Sequence, residues 1–346
     1  MQQKNVTEGE NEALDQTQLV DSFGRIHDYL RISLTERCNL RCTYCMPEEG
    51  IPLRDKSHFM RNEEIVEIAK IYRKLGVNKI RLTGGEPLVR KGADDIIRKL
   101  GSLGVELVMT TNGILVDQFI DVFKEAGIKS VNISLDSLNP ERQAKISRRD
   151  YFHRIMSNID LMLKEGFTVK VNMVVMNGVN DDELVDFVQL TKDKPLHIRF
   201  IEFMPFNGNK WDWSKGIGLK DMMNTFNASF GENNITPLKA KKNDTAKSYA
   251  VKGYQGTFGI IASVTNPFCS TCNRIRLTAD GKIKNCLFSS DETDLLGPFR
   301  NGEDIVPLIV KSIDKKKAVR SGMDTVEDLH DESLIAKNRS MISIGG

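Results

Sequence analysis

The sequence predicts an α/β fold: an incomplete (βα)6 barrel of the TIM type, followed by a smaller α+β region. Three observations carry this. Between residues 28 and 203, short runs rich in Val and Ile alternate with longer amphipathic ones, the pattern of parallel βαβ units. Only six such units can be traced, whereas a closed barrel needs eight, so the barrel should be open. Beyond Phe206 the texture changes to loops rich in Gly, Asn and Trp, and then to short strand pairs.

The expected strands cover 29–34, 77–82, 105–110, 130–135, 169–175 and 196–201, each bounded by turn-forming residues. Asn62 suits the N-cap of a helix over 63–75. There Ile65, Ile68, Ala69 and Tyr72 share one face, and Gly76 suits the stop. Further helices fit 94–103, 117–126, 152–164 and 182–191. In the smaller region 248–263 and 275–288 read as strands, the second pair turning at Asp280-Gly281. The expected organisation is a disordered tail over 1–22, a barrel over 23–206 and a C-terminal region over 207–346.

Hydrophobic residues make up 40% of the 346-residue chain, enough for a substantial core. Lys and Arg number 49 against 47 Asp and Glu, a net charge of +2, which gives no general reason to bind nucleic acid. No run of apolar residues is long enough to span a membrane. The polar, acidic first residues lack a secretory signal, so a cytoplasmic location with reduced thiols is expected.

In barrels of this kind the chemistry sits at the C-terminal ends of the strands. Conspicuous residues cluster there: 35–45, 83–87, 111–113, Asp136 and Met204. The six cysteines form two triplets. Cys38, Cys42 and Cys45 are spaced C-x3-C-x2-C, and Cys269, Cys272 and Cys286 are spaced C-x2-C-x13-C. Thiolates suit zinc and iron–sulfur clusters. A structural zinc site wants four ligands. Three thiolates fit a four-iron cluster with one iron open to another ligand. The competing reading completes each triplet with a histidine around zinc. None of His27, His58, His153, His197 and His330 lies near the second triplet in sequence, and none has zinc-finger spacing to the first.

The segment Thr35-Glu36-Arg37-Cys38-Asn39-Leu40-Arg41-Cys42-Thr43-Tyr44-Cys45, with Thr83-Gly84-Gly85-Glu86-Pro87 after the second strand, resembles the radical S-adenosylmethionine (SAM) superfamily. Within it, Asp28-Tyr29-Leu30-Arg31-Ile32-Ser33, Ser134-Leu135-Asp136-Ser137-Leu138, Arg199-Phe200-Ile201-Glu202-Phe203-Met204-Pro205, Cys269-Ser270-Thr271-Cys272-Asn273-Arg274-Ile275-Arg276-Leu277 and the terminal Gly345-Gly346 are similar to the GTP 3′,8-cyclase family of molybdenum-cofactor biosynthesis. The resemblance covers residues 23–346.

It implies two [4Fe-4S] clusters and S-adenosyl-L-methionine as cofactors and GTP as substrate. Cys38, Cys42 and Cys45 would hold the SAM cluster, and Cys269, Cys272 and Cys286 a second cluster that contacts the guanine. Tyr44, Gly85, Ser134 and Met204 would line the SAM pocket. Arg31, Arg81, Thr110, Lys170, Arg274 and Arg276 would bind GTP, with Thr111 an adjacent alternative to Thr110. Cys38, Cys42, Cys45, Arg274 and Arg276 would carry the catalysis. An adenosyl radical would take hydrogen from C3′ of GTP, and C3′ would bond to C8. A reducing electron donor and a downstream cyclic pyranopterin monophosphate synthase are the implied partners, with no nucleic acid and no membrane, for a monomer or homodimer. The double glycine would insert toward the active site. Two alternatives remain: a radical SAM peptide maturase with an auxiliary cluster, or an electron-transfer iron–sulfur protein. Trp211 and Trp213 read as lid or packing residues, and Lys315-Lys316-Lys317 as a solvated helix face.

Overall fold

Alternation within the strands decides which face does what. In β5 (Thr168–Val175) and β6 (His197–Glu202), Val169, Val171, Met173, Val175, Ile198 and Phe200 are buried on one face. Lys170, Asn172 and Arg199 alternate with them and point to the other. The apolar face packs on helices; the polar face is left for a site. The computed structural model describes residues 18–345 except 48, 52, 53, 210, 211, 324 and 326.

β1 (Tyr29–Ser33), β2 (Lys79–Thr83), β3 (Glu106–Thr111), β4 (Ser130–Ser134), β5 and β6 pair in sequence order, all parallel. Helices α1 (Asn62–Lys74), α2 (Ala93–Gly101), α3 (Ile120–Glu125), α4 (Pro140–Ser147), α5 (Phe152–Lys164) and α6 (Leu184–Gln189) connect them. The expected helices are present, with three departures. Arg61, not Asn62, stands at the N-cap of α1, where Glu64 accepts its backbone N–H at 2.6 Å. The helices expected over 117–126 and 182–191 are shorter. An additional one, α4, starts behind Asn139, whose side chain accepts from Arg142 N at 3.0 Å, with Pro140 in the first position.

An open six-stranded sheet leaves both edges unpaired. β7 (Ile235–Pro237), β8 (Lys247–Val251), β9 (Thr257–Ile261), β10 (Arg274–Leu277), β11 (Lys282–Lys284) and β12 (Thr293–Asp294) cover them. β9 joins β6 and β10 joins β1, both parallel. The result is one twelve-stranded sheet in the order β12-β11-β10-β1-β2-β3-β4-β5-β6-β9-β8-β7. The expected strand pairs are there, with the turn at Asp280-Gly281 closed by Thr278 and Lys282. They continue the barrel sheet rather than forming a separate layer. The fold is thus a partial, barrel-like sheet, as the sequence predicts.

Residues 1–17 of the expected tail lie outside the described residues. The tail does not extend to 22. Leu19 is buried, Val20 bridges Ile26, and Asp21 accepts from Arg25 Nε at 2.6 Å and lies 2.9 Å from His27 Nε2. A buried leucine and a buried ion pair tie this stretch down. Among the described residues no helix is long and apolar enough to cross a membrane.

Candidate active site

The first cysteine triplet lies in the loop that leaves β1. Cys45 N and Met46 N both donate to Cys42 O at 3.0 Å, which coils the loop. Arg41 N donates to Ser147 O and Thr43 N to Ile146 O, so the end of α4 holds it from outside. Tyr44 Oη donates to Asp136 Oδ2 at 2.8 Å, and Asp136 Oδ1 accepts from Val174 N at 2.9 Å. Asn112 Nδ2 lies 3.9 Å from Cys38 Sγ, and Leu40 N 3.4 Å from it. The Gly84-Gly85 turn presses on the same loop. Gly85 N donates to Thr35 O at 2.7 Å and Glu86 N to Arg37 O at 2.8 Å. A Cβ on Gly85 would lie 2.5 Å from Arg37 O, so only glycine fits. Gly85, expected in the SAM pocket, thus has its N–H committed to the cysteine loop.

The donor chemistry fits a metal cluster. Burial pushes the Cys38 thiol up to about 11 and the Cys45 thiol to about 12, and Cys38 raises Cys45 further. Burial also pushes Cys42 well up, with Asp136 and the other two sulfurs adding to it. Three thiols gathered where none ionises readily need a cationic partner to become thiolates. A four-iron cluster, which spreads three thiolates over three irons, suits such a loop better than zinc.

The second triplet is framed differently. Cys272 N donates to Cys269 O at 3.1 Å in a tight turn, and Arg25 Nη1 donates to the same Cys269 carbonyl at 2.9 Å. Burial raises the Cys272 thiol, but Arg274 and Lys316 beside it prevail and hold it at about 6. Lys316 corrects the expectation of a solvated 315–317 run. Its side chain is buried and its Nζ is 3.5 Å from Cys272 Sγ, because the chain turns inward once the helix Val306–Asp314 ends. Cys286 and Met204 pack against the small apolar group of Val264, Phe288, Met323 and Leu329. Met204 therefore contacts the C-terminal region, which sequence position alone did not reveal. Trp211 lies outside the described residues, and Trp213 opens a short turn, Trp213–Lys215.

Cys272 lies two residues before β10 begins and Cys38 follows β1, its parallel neighbour, so the triplets lie beyond opposite ends of the β1–β10 ladder. Between them runs a row of cations. Arg31 is in register with Arg276 on one side and Arg81 on the other, and Tyr29 with Arg274. Asn132 is in register with Lys170, and Asn172 with Arg199. Residues in register share a face. Arg81 Nη1 donates to Thr110 Oγ1 at 3.2 Å and Asn132 Nδ2 to it at 3.3 Å. Thr111 points away and donates to Glu86 Oε1 at 2.8 Å. Of the two threonines, Thr110 is the one on the inner face. Ser134 ends β4, in register with Asn172.

Arg199 was not singled out from the sequence. It is half-buried, but its Nε and Nη2 are buried without a hydrogen-bond partner, as are Arg31 Nε, Asn132 Oδ1 and Asn172 Oδ1. Alternation with the apolar residues of β6 was the signal that could have found it. Burial, then Arg276, pushes Arg31 down, and burial, then Arg81, pushes Arg199 down. Burial, then Arg199 and Arg81, brings Lys170 to about 8. Six cations crowd one face, none of them in an ion pair with a carboxylate among the described residues, an arrangement that calls for an anionic ligand.

Gly345 closes this face. It is buried over the strand ends, where a Cβ would meet Thr83 Oγ1 at 2.8 Å and Ser33 Cβ at 2.9 Å. Its φ of +84° also favours glycine. Gly346 lies outside the described residues.

Comparison with known proteins finds two family matches along the chain. Residues 32–191 match the radical SAM superfamily and 196–321 the Molybdenum Cofactor Synthesis C family. The chain is 41% identical over 330 residues to the GTP 3′,8-cyclase of Alkaliphilus oremlandii, covering 94% of this chain and 99% of that one. It is 45% identical over 342 residues to molybdenum cofactor biosynthesis protein 1 of Bos taurus, covering 97% of this chain and 53% of the relative, so it spans about half that protein's length. In fold it is similar to Streptococcus suis SuiB bound to S-adenosylmethionine, with a TM-score of 0.61 at 14% identity, covering 92% of this chain and 78% of that one.

Proposed function

From its membership of the GTP 3′,8-cyclase family within the radical SAM superfamily, we propose that this chain binds GTP on the inner face of its sheet and joins C3′ of the ribose to C8 of the guanine, giving (8S)-3′,8-cyclo-7,8-dihydroguanosine 5′-triphosphate. When bound at Cys38, Cys42 and Cys45, a reduced four-iron cluster with SAM supplies the radical chemistry that removes hydrogen from C3′. Cys269, Cys272 and Cys286 would hold the second four-iron cluster, which would offer an open iron to the substrate.

The chain's own residues bind, orient and enclose. The observation that carries the reading is the row of Arg31, Arg81, Lys170, Arg199, Arg274 and Arg276 between two cysteine triplets, none in an ion pair with a carboxylate among the described residues. A triphosphate neutralises such a row, and guanidinium forks grip phosphate oxygens two at a time. The unpartnered Oδ1 atoms of Asn132 and Asn172 offer acceptors for nucleotide hydroxyl or amino groups. The Tyr44–Asp136 bond fixes the cysteine loop, with Gly85 behind it, and Ser134 and Met204 complete the SAM side. Holding C3′ and C8 together converts an improbable encounter into an intramolecular one. On this reading the chain takes electrons from a reducing donor and passes product to cyclic pyranopterin monophosphate synthase. It works as a monomer or homodimer in a reducing cytoplasm.

Anaerobic incubation with GTP, SAM and dithionite tests this. An isomer of GTP should appear together with 5′-deoxyadenosine. 5′-Deoxyadenosine formed with unchanged GTP, from protein carrying both clusters, would overturn it.

A further inference from the structure

Lys316 is 4% exposed, whereas Lys315 and Lys317 on either side are exposed. Its Nζ donates to Arg274 O at 2.9 Å and lies 3.5 Å from Cys272 Sγ. The charged groups facing it most strongly are Cys272, Cys286, Arg25 and Arg274, with no carboxylate among them. An ammonium buried beside two guanidinium groups is costly unless an anion is close. The sulfurs are the groups that can become that anion.

The segment that carries Lys316 is itself clamped to the second cysteine loop. Arg25 donates from Nη1 to both Cys269 O and Ala318 O at 2.9 Å, and from Nη2 to Lys317 O at 2.8 Å. Asp21 holds that guanidinium from behind, at 2.6 Å from its Nε. The N-terminal turn thus fixes how far Lys316 stands from Cys272.

We infer that Lys316 is the built-in counter-charge of the second four-iron cluster, a positioning residue that holds the Cys272 sulfur and favours the reduced cluster. The inference rests on the reading of Cys269, Cys272 and Cys286 as cluster ligands. Hydrogen bonds to ligand sulfur and nearby positive charge stabilise the form with the extra electron, because that form carries one more negative charge. The electron comes from the reductant in solution, and no bond is made or broken.

The test is a reductive titration of holoenzyme followed by electron paramagnetic resonance, on wild type, Lys316→Met and Lys315→Met, with iron analysis of each. Lys316→Met should disfavour reduction of the second cluster about tenfold, a fall of about 59 mV for a one-electron couple. The first cluster and Lys315→Met should be unchanged. Selective loss of the second cluster's iron from Lys316→Met would also support the role. An unchanged potential at full iron content would overturn it alone, whereas wild type holding only one cluster would overturn the reading beneath it. Wild type labelled with 15N-lysine gives a readout that needs no variant. One lysine nitrogen should couple magnetically to the reduced second cluster, and absence of that coupling overturns the inference.

Discussion

Arg276 donates from Nη1 to the carbonyl oxygen of Gly345 at 2.9 Å. The end of the chain therefore reaches a cation of the inner face. It is held there by Ile342 and Ile344, both buried, and by Arg339, which bonds Asp280 through both terminal nitrogens at 2.9 Å. Asp280 also accepts from Arg54, whose other nitrogen pairs with Glu36 in the first cysteine loop. Tail, β10–β11 turn and cysteine loop form one ionic chain.

The tail should matter to product and not to folding. Deleting Gly345 and Gly346 should leave both clusters and uncoupled SAM cleavage largely intact. Cyclised nucleotide should fall by at least about tenfold, roughly 1.4 kcal/mol of lost transition-state stabilisation. Arg339→Met, which releases the same segment, should act in the same direction. Product formation at the full-length rate in the truncated chain would show that the contact with Arg276 is incidental.

The cysteine triplets should be separable. Reconstituted protein should hold about eight irons, from two four-iron clusters. Cys42→Ala should lose about half of them and all SAM cleavage while keeping the second cluster, as iron analysis and 5′-deoxyadenosine assays would read. Stoichiometric zinc in protein purified without oxygen would contradict the assignment.

The strands, five of the six helices between them and both triplets were legible in the sequence because each rests on local information: alternation, amphipathic period and fixed spacing. Relations between distant segments were not legible. Nothing in 257–261 or 274–277 announces that these strands seal the edges left by β6 and β1. Lys316 reads as one of three surface lysines until the turn after the helix Val306–Asp314 aims it at Cys272. Arg199 was hidden within a motif quoted for its end, Met204, although its alternation with Ile198 and Phe200 gave it away. Leu19 and Asp21, taken for tail, are ordered only because Arg25 and His27 close back on them.

The arginines should report on substrate. Arg274→Ala, Arg276→Ala and Arg199→Met should each weaken GTP binding by about 1.5–3 kcal/mol, roughly ten- to a hundredfold, with both clusters retained. Arg199 discriminates best, because it lies on β6, away from either cysteine triplet. Equilibrium binding of GTP to each holoenzyme variant is the measurement. Unchanged affinity in Arg199→Met would assign its unpartnered nitrogens some task other than phosphate.

Lys170 should give GTP binding a pH dependence. Burial, with Arg199 and Arg81 nearby, brings its ammonium down to about 8 in the free protein. The arginines around it stay charged at every accessible pH, and a terminal phosphate has lost its last proton by about pH 7. Between roughly pH 7 and 9 two groups on this face change charge: Lys170, and Tyr29, whose phenol burial raises but Arg81 and Arg31 bring down to about 8. Below about 8 Lys170 is protonated and attracts phosphate; above, the free protein must take up a proton to bind. Triphosphate raises the lysine's affinity for that proton, so binding and protonation favour each other. GTP affinity should therefore be flat up to about pH 8 and then fall, by about tenfold per unit for Lys170 alone and by at most about a hundredfold per unit with Tyr29, the limit for two linked protons. Lys170→Arg keeps the charge and should make the fall shallower, leaving the part that Tyr29 contributes, while Lys170→Met should do the same at lower affinity throughout. Calorimetry in buffers of different ionisation enthalpy should detect proton uptake on binding near pH 8.5 in wild type and less of it in either variant. A wild-type profile that stays flat to pH 9 would remove Lys170 from the phosphate contacts.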